Sequence, residues 1–220
     1  MTETKLVKET IAFVKETLNG AEGGHDWFHT HRVFLNAKRL GQFEDVDFLV
    51  VQLGALLHDI ADAKFHDGDE TIGPRMATEF LTSIGVEPKT IDHVGKIIAN
   101  ISFKNSLDLP KGDKFNSKEL QVIQDADRLD AIGAIGIART FNYGGFKNRE
   151  LYNPDIPPKL NQSKEEYKKS NAPTINHFYE KLLLLKEKMN TATGKKLAEE
   201  RHQFLLDYLD QFFAEWNGER

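Results

Sequence analysis

Phe48-Leu49-Val50-Val51-Gln52-Leu53-Gly54-Ala55-Leu56-Leu57 is the stretch on which the fold turns. It is apolar nearly all round, and a helix of that kind has to sit in the centre of a bundle. The expected helix covers about 45–60 and carries His58-Asp59 at its end, so two ionisable side chains emerge directly from the core. A charged dipeptide in that place is costly unless it is paired or liganded.

The same helical period recurs on either side. Leu6, Ile11, Val14 and Leu18 mark one face of a first helix that Asn19-Gly20 ends. Phe28, Val33, Leu35 and Leu40 mark a second over about 25–40, stopped by Gly41. Further helices are expected at about 69–84, 90–101 and 117–142, with Gly133 and Gly136 inside the last allowing close packing or a bend. Residues 103–116, with Pro110, Gly112 and several lysines, read as a loop; so do residues 143–173, with Gly144-Gly145 and four prolines. Two helices at about 174–189 and 193–216 close the chain. Strand-type alternation is nowhere sustained. The expectation is all-α: one domain over 1–220, a compact bundle with its core at about 20–142 and a C-terminal helical hairpin packed on it. The apolar stripe Phe204, Leu205, Tyr208, Leu209, Phe212 and Phe213 is assigned to that packing, with a homodimer contact as the alternative.

Composition narrows the function. With 220 residues, 40% apolar and 29% charged, the chain can bury a core as an ordinary globule. Its net charge of −5 argues against nucleic acid as a partner and for a small molecule held in a local cationic pocket. The absence of cysteine excludes disulfides and thiolate metal sites. No apolar run reaches the roughly 18 residues of a membrane span, and the amino terminus lacks a secretory h-region. A cytoplasmic location without membrane association is the corresponding expectation.

Two further segments complete a donor set with His58-Asp59: His29-Thr30-His31-Arg32-Val33, and Asp125-Ala126-Asp127-Arg128-Leu129-Asp130. Imidazoles and carboxylates together suit a borderline divalent cation. Such an ion lowers the pKa of bound water and polarises a phosphoryl oxygen. His29 and Arg32 share a helix face at i, i+3, His25 lies one turn before them, and His58 pairs with Asp62 at i, i+4. The competing reading of His58-Asp59 is a buried ion pair with Arg32 or Arg128. Chemistry alone leaves Asp125, Asp127 and Asp130 open as the final ligand.

The order of His29, His58-Asp59 and Asp127 resembles the HD-domain superfamily of metal-dependent phosphohydrolases. The likeness extends through His25-Asp26-Trp27-Phe28-His29 with Arg32-Val33, through Leu56 to Phe65 and through Asp125 to Gly133. It continues into the tail at His177-Phe178-Tyr179-Glu180-Lys181-Leu182 and Arg201-His202. A bacterial subgroup of small, single-domain HD hydrolases is similar over nearly the whole chain. The resemblance implies an enzyme that cleaves nucleoside triphosphates to monophosphate and pyrophosphate with Mn²⁺ or a similar ion, Mg²⁺, Co²⁺, Ni²⁺, Fe²⁺ or Zn²⁺ being the alternatives. It implies His29, His58, Asp59 and Asp127 as ligands of one metal, and sets aside His31, which stands at the wrong offset from Arg32. A second metal would need extra histidines, for which only His66 and His93 are available between the motifs.

Asp62 lies one helical turn from His58, and the related ppGpp hydrolases carry an acidic residue at that offset, which makes it the expected general acid or base, with Lys64 beside it as a catalytic and phosphate-binding residue. Arg32, Lys64, Arg128, Lys104 and Lys147 are the expected substrate contacts, with Arg75 as a further cation. Gly144-Gly145-Phe146-Lys147 is a candidate flap over a base. The competing functions are a phosphodiesterase or nucleotidase using the same ion, and a non-catalytic nucleotide-binding module.

Overall fold

Acceptors placed just ahead of apolar runs start the helices that matter here. The computed structural model describes residues 2–20, 26–61, 69, 71–101, 115–163, 166 and 170–220. Among these described residues there are nine α-helices and no strand, so the all-α expectation holds. They are α1 (Glu3–Thr17), α2 (Trp27–Gly41), α3 (Phe48–Leu57), α4 (Ile72–Ser83), α5 (Pro88–Asn100), α6 (Lys118–Asp130), α7 (Gly133–Phe146), α8 (Asn176–Glu180) and α9 (Ala192–Trp216). Two short 3₁₀ turns, Leu182–Leu184 and Lys186–Lys188, precede α9. The chain divides into two units, residues 1–127 and 128–220, and the division falls inside α6.

In the first unit α3 is the axis. Val50, Val51, Leu53, Ala55, Leu56 and Leu57 are all buried, as a helix apolar on every face requires. Asp47 caps it, its Oδ1 accepting from the backbone N–H of Leu49 at 3.0 Å and of Val50 at 3.2 Å. Helices α1, α2 and α5 pack on α3, and α4 packs on α5. Gly54 lets α6 come close: a Cβ there would lie 2.6 Å from Ile123 Cδ1.

The second unit is built differently. α9 packs on α7, and its stripe meets an aromatic cluster. Tyr208 stacks on Phe178 with centroids 5.8 Å apart and meets Phe141 edge-on; Tyr152 is ringed by Phe212, Phe213 and Trp216. Leu205 and Leu209 are buried, while Phe204 of the same stripe is half exposed.

Two expected helices are corrected. The helix over 117–142 is broken at Ala131-Ile132 and restarts at Gly133 as α7. Gly133 adopts φ +72°, and a Cβ at Gly136 would run into the Ala131 carbonyl. The two glycines therefore turn the chain rather than merely bend a continuous helix. α7 also runs to Phe146, into the expected loop. The helix over 174–189 shrinks to α8 followed by the 3₁₀ turns. Residues three apart are eclipsed in a 3₁₀ turn, which puts Leu182 and Leu185 together in the interior. The expected loop at 103–116 falls mostly outside the described residues, which resume at Phe115.

Candidate metal centre

The first unit gathers its donors at helix ends. Asp26 caps α2: its Oδ1 accepts from the His29 N–H at 2.8 Å, which locks the first turn and the His29 backbone with it. His29 is buried. His58 is the residue at which α3 terminates, and Asp59 follows. The His58 ring is oriented by the chain itself, since Nδ1 lies 2.9 Å from the Ala55 carbonyl oxygen. A carbonyl only accepts, so Nδ1 carries a proton, and in the neutral ring the lone pair is then on Nε2. That is the tautomer a metal ligand needs.

One ligand atom from each of His29, His58 and Asp59 lies within 4.8 Å of the others, and this is the one group of three such side chains that the described residues form. Ligands at about 2.1 Å from one ion stand no more than about 4.2 Å apart, so the three converge on a common centre with small adjustment. Asp127 approaches from α6, its Oδ1 3.6 Å from His29 Nε2, beyond hydrogen-bond length but within reach of a shared cation. α6 is tied to α2 by Asn36 Nδ2, which donates to the Ala126 carbonyl at 3.3 Å. His29 is thus the floor of the site and Asp127, with 46% of its side chain exposed, the rim. Neutral nitrogen and anionic oxygen donors in this mixture fit a divalent ion of the Mn²⁺ to Zn²⁺ series.

The other two aspartates of the third motif are buried. Asp125 is fully buried, and Asp130 is buried with its Oδ2 bonded to Arg139 at 2.7 Å. His31 stacks against Trp27 with centroids 5.2 Å apart. His93 joins α5 to the start of α6, 3.0 Å from Ser117 Oγ and 3.5 Å from Glu119 Oε2. Burial pushes the Glu119 carboxyl up, but the amides of Asp47 and Glu119, the Ser117 hydroxyl and the neighbouring His93 hold it below the ordinary carboxylate range. His93 is a structural tie.

Arg32 lies half-buried one turn beyond His29 on α2. Arg128 follows Asp127 on α6 and is also half-buried. Lys147 ends α7, exposed, its Nζ over the rings of Phe146 (5.2 Å) and Tyr143 (5.7 Å). Arg75 is exposed on α4. Asp62, Lys64, Lys104, His25 and His66 lie outside the described residues. The Ala55 carbonyl and Asn36 were not legible beforehand: a backbone acceptor has no sequence signature, and an asparagine on a polar helix face resembles any other.

A family model for the HD domain matches residues 27–132. A Bacillus subtilis protein, YpgQ, is 37% identical over 211 residues, covering 96% of this chain and 94% of that one. A crystal structure of an HD-superfamily hydrolase from Bacillus thuringiensis is 40% identical with a TM-score of 0.78, covering 98% of this chain and 99% of its own. The structure of YpgQ in complex with ADP has a TM-score of 0.76 at 35% identity, covering 98% and 97%. The chain belongs to the HD-domain family. It is a hydrolase, by class a metal-dependent phosphohydrolase. Among the described residues no helix is long and apolar enough to cross a membrane.

Proposed function

We propose that His29, His58, Asp59 and Asp127 hold one divalent ion, Mn²⁺ in the first instance, and that the chain cleaves nucleoside or deoxynucleoside triphosphates to monophosphate and pyrophosphate. The convergence of His29, His58 and Asp59 on one point carries the metal reading. The nucleotide reading draws support from the relative whose structure is described with ADP. When bound, such an ion brings water toward ionisation at neutral pH and offsets charge on the phosphoryl oxygens.

The side chains have separable tasks. His58, oriented by the bond from Nδ1 to the Ala55 carbonyl, offers Nε2 to the ion. Asp62 receives the proton of the attacking water on a carboxylate oxygen and can return it to the leaving group. Lys64 and Arg32, in the metal motifs themselves, bind and orient the phosphate chain, with Arg128, Lys104 and Lys147 as further contacts.

Product analysis tests this reading. Nucleoside triphosphates incubated with the protein and Mn²⁺, Mg²⁺, Co²⁺ or Ni²⁺ are assayed separately for pyrophosphate and orthophosphate. Pyrophosphate in a 1:1 ratio to monophosphate is expected. Orthophosphate as the sole product would instead make the chain a nucleotidase or triphosphatase.

A further inference from the structure

The terminal turn of α6, which carries Asp127, is gripped by two guanidinium groups that the proposed chemistry leaves unused. Arg201 Nη1, from α9, donates to the Leu129 carbonyl oxygen. Arg139 Nη1, from α7, donates to the Asp130 carboxylate at 2.7 Å and lies 3.2 Å from the Asp130 carbonyl oxygen. The Arg201 stem lies across the turn that follows, its Cβ, Cγ and Cδ 3.1–3.3 Å from where a Cβ at Gly133 would sit. A Cβ there would press on that stem, and the φ of +72° found at Gly133 is one that side chains rarely adopt.

These contacts answer a specific need. A helix ends with four carbonyls lacking intrahelical donors and with a partial negative charge. Here the Arg128 carbonyl takes the Ala131 N–H at 3.1 Å, and the Leu129 carbonyl takes the Ile132 N–H at 3.4 Å as well as Arg201. The Asp130 carbonyl takes Arg139. Three consecutive carbonyls are thus satisfied, two of them by cations, immediately beyond Asp127. The Asp127 side chain is 46% exposed and meets His29 at 3.6 Å, so the backbone of this turn dictates where its carboxylate stands. A ligand has to be held to within about half an ångström to serve.

We infer that Arg201, seconded by Arg139, is a positioning residue for the metal centre: it fixes the last turn of α6 and through that turn the Asp127 carboxylate. The inference rests on the proposed role of Asp127 as a ligand. Arg201→Met keeps an apolar stem over Gly133 and removes the donor, while Arg201→Lys restores one donor. The full-length variants and parent are titrated with Mn²⁺ by calorimetry below their melting temperatures, alongside steady-state kinetics. Arg201→Met is expected to bind Mn²⁺ about 10- to 100-fold more weakly, the usual effect of losing a group that orients a ligand. Its kcat should fall while KM for nucleotide changes little, and Arg201→Lys should recover part of both losses. Mn²⁺ affinity within twofold of the parent in folded Arg201→Met overturns the inference. Should Arg201→Met not fold, Arg139→Gln carries the test: weakened Mn²⁺ binding supports the inference and parental binding overturns it. Asp127→Ala separates the two ideas. If it abolishes Mn²⁺ binding while Arg201→Met does not weaken it, positioning alone fails; if Asp127→Ala binds like the parent, the ligand assignment fails and takes the inference with it.

Discussion

The donor cluster within residues 1–127 and the Asp130–Arg139 pair within residues 128–220 arrange ionisable groups in different ways, and α6 shows both within one turn. Asp130, buried at 2% exposure, is closed by Arg139 at 2.7 Å. Asp127, three residues earlier, faces His29 at 3.6 Å across a gap too long for a hydrogen bond, and it is His29 that stands beside His58 and Asp59. A closed pair satisfies both partners and leaves nothing for solutes. The ligand atoms of His29, His58 and Asp59 instead stand at a spacing that one cation could bridge. On the proposed reading, the first arrangement holds the helix end and the second performs the chemistry.

That contrast can be broken at several points. The largest effect is expected at the donor cluster: His58→Ala or Asp127→Ala should lower hydrolysis by at least ~10³-fold, the scale of losing a central electrostatic contribution, and remove bound Mn²⁺ while far-UV circular dichroism stays near that of the parent. A variant with full metal content and full rate would show that the donors are merely packed together. For Asp62→Asn the expectation is a drop in turnover of roughly 10²–10⁴ from lost proton transfer, with Mn²⁺ binding retained. Unchanged turnover would demote Asp62 to a structural residue.

The closed pair should respond in stability rather than in chemistry alone. Arg139→Leu leaves the Asp130 carboxylate buried without its cation and is expected to cost about 3 kcal/mol in urea unfolding. Replacing both residues by leucine should restore most of that, because the uncompensated charge is gone. A single-variant cost below ~1 kcal/mol would place the pair with weak surface bridges.

The smallest effect concerns acid. Burial, with Lys181 and then Arg149 nearby, holds the His177 imidazole down to about 3. Below its ordinary value of 6.5 the unfolded chain takes up a proton there that the folded chain refuses. This contribution to stability is therefore complete above pH 6.5 and is lost progressively as pH falls toward 3. Urea midpoints measured at pH 7 and pH 5 should drop for the parent and drop less for His177→Gln. Equal drops would show that His177 is not the group responsible.

Legibility followed period and burial. Helix α3 was readable to within a turn because ten consecutive positions agree on one environment and Asp47 stands where a cap belongs. The placement of His58-Asp59 at its exit was readable for the same reason. The division between α6 and α7 was not, because glycines inside a periodic run signal either a bend or a break, and the arginines that stabilise the break come from elsewhere in the chain. Nor could period foresee the collapse of the 174–189 helix into 3₁₀ turns. Four consecutive leucines satisfy a helix and a tighter winding alike, and only their surroundings choose between the two.

From sequence alone came the all-α class, the helical order and the types of donor, because these depend on side-chain chemistry and on spacing along a single segment. Asp127 was singled out among the three aspartates by the family resemblance rather than by the motif's own chemistry, whereas the tertiary structure alone decided that Ala55 sets the His58 tautomer. It also decided that Arg139 and Arg201 close the end of α6. Each of those outcomes depends on where a side chain meets atoms outside its own local pattern, a relation that only packing creates.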